Sequence, residues 1–222
     1  MIYAHDKTIA RDQGLPNTIW PRMSDKGIDF DDVKHYLQER GLSWDLAEEN
    51  GWYPSREAMD SFLRIVIPAV STLKGHVYWQ ARSVSLNVNI RYQTPKGPRQ
   101  GALIKVDTWQ IDALEAADKV VIVEGPTDAL AVADCGYDAI ALMGITPGEL
   151  ALDHLVKLVD KRPALIGLDN EPEAQVAAHI IAMRLASAGG KVHIAKLRWV
   201  KDLAAMAFPA RKVWLDKHLE EL

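Results

Sequence analysis

The sequence predicts an α/β fold: a parallel sheet with helices on both faces, preceded by a small α+β unit. Three observations carry that expectation. Past residue 118, short apolar runs alternate with helical segments, an order that argues for a parallel sheet with right-handed crossovers. Two of those runs end in acids, Val120-Val121-Ile122-Val123-Glu124-Gly125-Pro126-Thr127-Asp128 and Ala164-Leu165-Ile166-Gly167-Leu168-Asp169-Asn170-Glu171. Between Phe62 and Val106 the apolar period falls towards two, with Lys74-Gly75 and Pro95-Lys96-Gly97 as turns, which marks an antiparallel unit.

In chain order, residues 1–28 mix Asp, Lys, Gly, Pro and Asn without sustained periodicity and read as an irregular arm. Val33, Tyr36, Leu37 and Arg40 fall at helical spacing, so a helix is expected over 31–41, started by Asp31 and Asp32 and stopped by Gly41. A second short helix is expected over 44–50. Strands follow at 63–69, broken at Pro68, then at 76–84 and 88–93, and residues 29–111 form an N-terminal subdomain. A helix over 109–118 leads into strand 120–124, helix 126–135, strand 138–142, helix 147–160, strand 164–168, helix 172–188 and strand 191–197. Residues 112–208 make the second domain, and 209–222 a last helix.

With 222 residues, 48% hydrophobic and 25% charged, the chain can bury a substantial core. Its one cysteine, Cys135, rules out an internal disulfide framework and any multi-cysteine zinc module. No apolar run reaches membrane-spanning length and no hydrophobic leader opens the chain, so a cytoplasmic protein with no membrane partner is expected. The net charge of −4 hides an uneven distribution: −4 over 1–50 (6 basic, 10 acidic), +5 over 51–110 (8 and 3), −5 over 111–222 (12 and 17). A basic middle beside an acidic half fits a phosphate-binding surface next to a metal site, and equally a solvated surface of uneven charge.

The carboxyl ends of neighbouring parallel strands open onto one crevice, so Glu124 and Asp169 can converge there although distant in sequence. Converging carboxylates suit magnesium, which takes few protein oxygens and keeps several waters. Local structure offers a second account of the same residues. Glu124 and Asp128 can simply begin a helix behind Pro126, and Asn170 can be an N-cap with Glu173 as its capping-box partner. Lys201-Asp202 follows a third predicted strand on the same edge. Tyr78, Trp79 and Tyr92 alternate with basic residues, but Tyr78 and Trp79 point to opposite faces of a strand and are assigned to packing. His76, His154 and His193 show no metal-ligand spacing, so no zinc is expected.

The series Glu-Gly, Asp-x-acid, Lys-Asp, each after a strand, resembles the Toprim domain, a Rossmann-like metal-dependent fold shared by bacterial-type primases, topoisomerases and certain nucleases. The preceding segments Tyr36-Leu37-Gln38-Glu39-Arg40-Gly41-Leu42-Ser43, Gly51-Trp52-Tyr53-Pro54, Arg64-Ile65-Val66-Ile67-Pro68, Gly75-His76-Val77-Tyr78-Trp79-Gln80-Ala81-Arg82 and Arg91-Tyr92 are similar to the amino-terminal subdomain of the bacterial (DnaG-type) primase catalytic core and its phage relatives. The resemblance runs from about residue 30 to about residue 208. It implies Glu124 in acid/base chemistry, Asp169 and Glu171 as further catalytic carboxylates, and Glu124, Asp169, Glu171 and Asp128 as the groups that hold the metal. Glu171 stands where a second Asp is usual, which leaves Glu173 as an alternative ligand.

By position, the resemblance also makes Arg64, Arg82, Arg91, Lys96 and Lys105 candidates for the template groove and the nucleotide, with Lys201 and Asp202 in the nucleotide and metal shell. The implied activity is RNA primer synthesis on single-stranded DNA from ribonucleoside triphosphates, with Mg2+, or Mn2+ in its place, in a phage or other mobile replicon. Bacterial primases carry a zinc module and a helicase-docking module, and neither fits this sequence; start-site selection and coupling to a helicase are expected from the short arm, from separate proteins in trans, or to be absent. A Toprim nuclease and a non-catalytic nucleic-acid-binding module remain as alternatives.

Overall fold

The computed structural model describes residues 20–57, 62–71, 78–85, 88–96, 99, 101–108, 118–144, 147–197 and 200–222. The expected arm up to residue 19 and the expected helix from 109 to 117 lie outside the described residues. Among the described residues no helix is long and apolar enough to cross a membrane.

Helices α1 (Gly27–Glu39) and α2 (Trp44–Glu49) precede strands β1 (Tyr53–Ser55), β2 (Arg64–Ala69), β3 (Tyr78–Ser83) and β4 (Tyr92–Gln93), which form an antiparallel sheet in that order. Then come β5 (Ile104–Val106), β6 (Val120–Val123), α3 (Pro126–Asp134), β7 (Asp138–Ala141), α4 (Glu149–Val159), β8 (Ala164–Ile166), α5 (Pro172–Ser187), β9 (Val192–Ile194) and α6 (Phe208–Glu220). The second sheet has the order β5-β7-β6-β8-β9; its last four strands are parallel, and β5 runs antiparallel to β7.

Helix α1 starts four residues earlier than Asp31 because a tertiary contact fixes its first turn. Asp29 is fully buried and accepts a forked guanidinium from Arg56, at 2.8 and 3.0 Å, together with the Ser24 hydroxyl at 2.5 Å. The stop is as expected: Gly41 adopts φ +65°, and its amide donates to the Gln38 carbonyl at 2.9 Å. Strand β2 runs through Pro68 without a break. Its neighbour β1 pairs only with residues 64–66, so the proline, which has no N–H, leaves no donor missing on that side.

Strands β1 and β5 were not expected, and β4 is shorter than 88–93. A single β-bridge between Val70 and Leu103 carries the chain from the end of β2 to the second sheet. The remaining strands and helices of the second sheet begin and end within a few residues of their expected positions.

All of β6 is fully buried, and its side chains alternate between two cores. Val121 and Val123 join Ala139, Ala141 and Leu165 against α3, α6, α1 and the β2 residues Ile65 and Ile67. Val120 and Ile122 join Ile140, Ala164 and Ile166 against α4 and α5. The first core therefore passes without interruption from the small sheet into the large one. A third cluster, Tyr53, Val66, Trp79 and Ala81, covers the outer face of the small sheet. Tyr78 and Trp79 are both core residues, on opposite faces, as their assignment to packing requires.

Helix α6 lies across the end of β8, where a side chain at Gly167 would come within 3.3 Å of the Trp214 ring. Gly167→Val should therefore overpack this contact, costing about 1–3 kcal/mol, a fall in Tm of about 2–10 °C for a chain of this size. Thermal unfolding of Gly167→Val and of the double variant Gly167→Val/Trp214→Leu checks this: the second change should restore part of the loss, and strictly additive losses would contradict the contact.

Candidate active site

Parallel pairing of β6 with β8 aligns Ile122 with Ile166, and the Gly167 amide donates to the Ile122 carbonyl at 2.9 Å. The two strands therefore end together, and the chain delivers Glu124 and Asp169 to one edge of the sheet. Beyond β9 the segment around Lys201 and Asp202 returns to that edge. It is pinned there by the buried Asp128 carboxylate, which accepts the Ala204 amide at 2.9 Å, while Asp202 caps the short 3-10 turn Leu203–Ala205 by accepting the Ala205 amide at 2.8 Å.

These groups feel one another. Burial pushes the Glu124 carboxyl up to about 7, with Asp169 and Glu171 adding to the rise, Lys201 opposing it and Asp202 adding again. Asp169 is pushed up to about 6 by burial and then by Asp202, eased by Lys201 and raised further by Glu171. Burial, then Asp202, raises Asp128 to about 7, partly offset by the Ala204 amide. Four acids and a lysine thus surround one mouth, with Asp128 beneath it.

Two details separate these carboxylates from ordinary helix starters. Glu124 Oε2 is buried and has no hydrogen-bond partner among the described residues, which is costly for a polar oxygen. Glu171, rather than Asn170, is the N-cap of α5, with Pro172 in the first turn, and its side chain makes no capping bond. The Asn170–Glu173 capping box that offered a purely local account of these residues does not form, and the exposed Glu171 carboxylate is not used by its own helix. Gln175 instead steadies the turn, donating to the Asp169 carbonyl at 3.0 Å. An unpartnered buried oxygen among mutually repelling carboxylates fits a divalent cation.

The basic candidates separate into three groups. Arg64 is fully buried, and its guanidinium donates to the carbonyls of Ile90 (3.0 Å), Arg91 (3.3 Å) and Ala81 (3.4 Å), so the expected phosphate ligand is instead an internal strut of the small sheet. Arg82 is likewise withdrawn, 5% exposed. It donates to the Tyr36 hydroxyl at 2.6 Å and to the Tyr92 hydroxyl, and lies over both rings. Tyr92 also hydrogen-bonds the Thr127 hydroxyl in the first turn of α3, so Arg82 ties the small sheet to the helix bearing Asp128 and does not present its charge to solvent.

Lys105 pairs with Asp107 at 2.6 Å. Because β5 is antiparallel, Val106 lies opposite Ala139 and the strand leads Asp107 away from the edge where the acids meet, so Lys105 is not part of the mouth. Arg91 and Lys96 are exposed on either side of β4, and Lys201 is exposed at the mouth itself. Arg99, which the sequence did not single out, donates to the Met143 carbonyl at 2.9 Å in the loop after β7, next to the same edge. Only its place in the basic middle of the chain could have signalled it. His154 is buried with Nδ1 2.8 Å from the Gly101 carbonyl, a packing role.

Residues 121–206 match the Toprim-like family. The whole fold is similar to the RNA polymerase domain of Mycobacterium tuberculosis primase DnaG, with TM-score 0.66 and 18% identity over 98% of this chain and 82% of that one. The same domain in complex with a double-stranded DNA oligomer with a 6-nucleotide overhang gives 0.65 and 19% over 98% and 78%. A structure of Aquifex aeolicus primase, holding zinc-binding and RNA polymerase domains, gives 0.63 and 20% over 86% of this chain and 55% of that one. No curated protein matches the chain significantly. The fold is that of the primase RNA polymerase domain.

The raised carboxyls give a pH signature. Between their ordinary values near 4 and their folded values of about 6 to 7, the folded chain holds protons that the unfolded chain has released, so stability falls as pH rises through that window and stays low above it. Magnesium should raise the Tm, and more at about pH 8 than at about pH 5.5, where protons compete. Without metal, Glu124→Gln should be more stable than the parent at about pH 8 by about 1 kcal/mol. Thermal unfolding with and without magnesium at both pH values checks both statements.

Proposed function

We propose that the chain is the catalytic core of a primase, a DNA-directed RNA polymerase that joins ribonucleoside triphosphates on a single-stranded DNA template. The observation that carries this reading is the meeting of Glu124, Asp169, Glu171 and Asp202 at one mouth, on a fold shared with primase RNA polymerase domains over nearly the whole chain.

Asp169, Glu171 and Asp202 would hold Mg2+, and Glu124 would complete the set through its unpartnered oxygen. Bound there, magnesium supplies charge neutralisation at the triphosphate and at the pyrophosphate leaving group, and makes a coordinated hydroxyl more acidic. Glu124 stands among these acids and would take the proton of the attacking 3′-hydroxyl. Lys201 stands beside the acids with its charge in solvent and would pair with the triphosphate as a point charge. Arg91 and Lys96 are exposed cations able to follow a template backbone by counterion release.

Arg82 acts at one remove. Through the Tyr92 and Thr127 hydroxyls it fixes the first turn of α3, and through Asp128 that turn holds the Lys201–Asp202 loop in place. It is a positioning residue, and Arg64 serves the interior of the small sheet.

The test is synthesis. Purified chain, single-stranded template, labelled ribonucleotides and magnesium should yield short oligomers, and Glu124→Gln or Asp169→Asn should lower the yield at least about 100-fold. Lys201→Ala should chiefly raise the KM for nucleotide. Template cleavage without added nucleotides would assign the site to a nuclease, and synthesis unchanged in both acid variants would remove these acids from the reaction.

A further inference from the structure

We propose that His193, His218 and Glu221 form a zinc site that fastens the last turn of α6 to the edge strand β9. His193 lies in the middle of β9, opposite Leu165 of β8, while His218 and Glu221 sit three residues apart at the end of α6 and so share a face. The sequence spacing of His193 showed no ligand pattern because its partners lie a helix away and are brought to it only by packing.

The distances are those of a coordination shell. His193 Nε2 is 3.3 Å from His218 Nδ1 and 3.1 Å from Glu221 Oε2, and His218 Nδ1 is 3.9 Å from Glu221 Oε1. One ligand atom from each residue lies within 4.8 Å of the other two. Zinc bonds of about 2.0–2.2 Å in tetrahedral geometry place ligand atoms about 3.3–3.6 Å apart, so the two imidazoles and one oxygen of the Glu221 carboxylate need only a small adjustment to share one ion. The two imidazoles stack with centroids 5.4 Å apart and planes 23° apart, and Trp214 packs 4.7 Å from His218, which limits how the His218 ring can turn.

The donor set selects the metal. Two imidazole nitrogens and one carboxylate suit zinc, whereas magnesium prefers oxygen alone, so this site and the acidic mouth call for different ions. The two also lie at opposite ends of the large sheet. Lys119, just before β6, donates to the Leu219 carbonyl at 2.7 Å, and Lys191, just before β9, donates to the Leu222 carbonyl, so the end of α6 sits where the parallel strands begin. The acids sit where those strands finish. Zinc here would act on the seating of α6 and would not touch substrate.

The experiment uses the full chain stripped with a chelator, with magnesium in excess to occupy the acids. Titration with Co2+ should give one equivalent with the visible absorption of a low-coordinate nitrogen–oxygen site, displaced by Zn2+, and zinc should raise the Tm. His193→Gln and His218→Gln should each weaken uptake by more than the roughly 10–100-fold that loss of an outer-shell partner costs. Glu221→Gln, at an exposed position where folding is not in question, should weaken it about tenfold or more. Uptake unchanged in Glu221→Gln/His193→Gln, absent in the parent chain, or abolished by Asp169→Asn and not by the histidine changes would each overturn the proposal. The result does not depend on whether the acidic mouth makes primers.

Discussion

Everything at the mouth depends on a carboxylate held at the end of a strand that has no solvent face. Val120 to Val123 are buried on both sides, so β6 cannot shift register without driving valine and isoleucine out of two cores at once. That rigidity fixes where Glu124 emerges. Its charge is then opposed by burial and by three neighbouring acids, an arrangement that raises the energy of the folded chain and is retained at a position suited to a cation and phosphate oxygens.

The small sheet is bound to this centre in two ways. Ile65 and Ile67 share a core with Val121 and Val123, and Arg82 reaches through Tyr92 to Thr127 beside Asp128. The second link is polar and buried, so each member leaves a costly unpaired group if its partner is removed. Orientation of the exposed cations Arg91 and Lys96 relative to the acids is therefore set by contacts that bind nothing themselves.

Much of this was legible in the sequence, for physical reasons that differ from element to element. The run from Val120 to Glu124 reads as a buried strand because both its faces are apolar, while the acid at its end reads equally as the start of the next helix until Asp169 and Asp202 are set beside it. Convergence of Glu124 and Asp169 followed from parallel topology, while Asp202 is brought to them by the loop that Asp128 pins. The fates of Arg64 and Arg82 did not, because a basic residue within a strand has the same one-letter signature whether it meets phosphate, carbonyl or hydroxyl; the backbone around Ile90 and Arg91 decides for Arg64, and the Tyr36 and Tyr92 hydroxyls decide for Arg82. The early start of α1 depended on Arg56 meeting Asp29 across 27 residues, and the role of Asn170 was displaced by Pro172, whose preference for the first helical turn moved the cap to Glu171. Strands β1 and β5 are too short to show a period of two.

That shortness has a bearing on how the molecule behaves in a crowd. Among the described residues the outermost strands of the two sheets are β1 and β4, β5 and β9, and they hold three, two, three and three residues. A stray chain seeking to extend either sheet would find only a few unmatched amides at each border, too few to template pairing. Truncated margins of this kind shorten the ladder that a neighbouring copy could add to the Val- and Ile-rich interior strands.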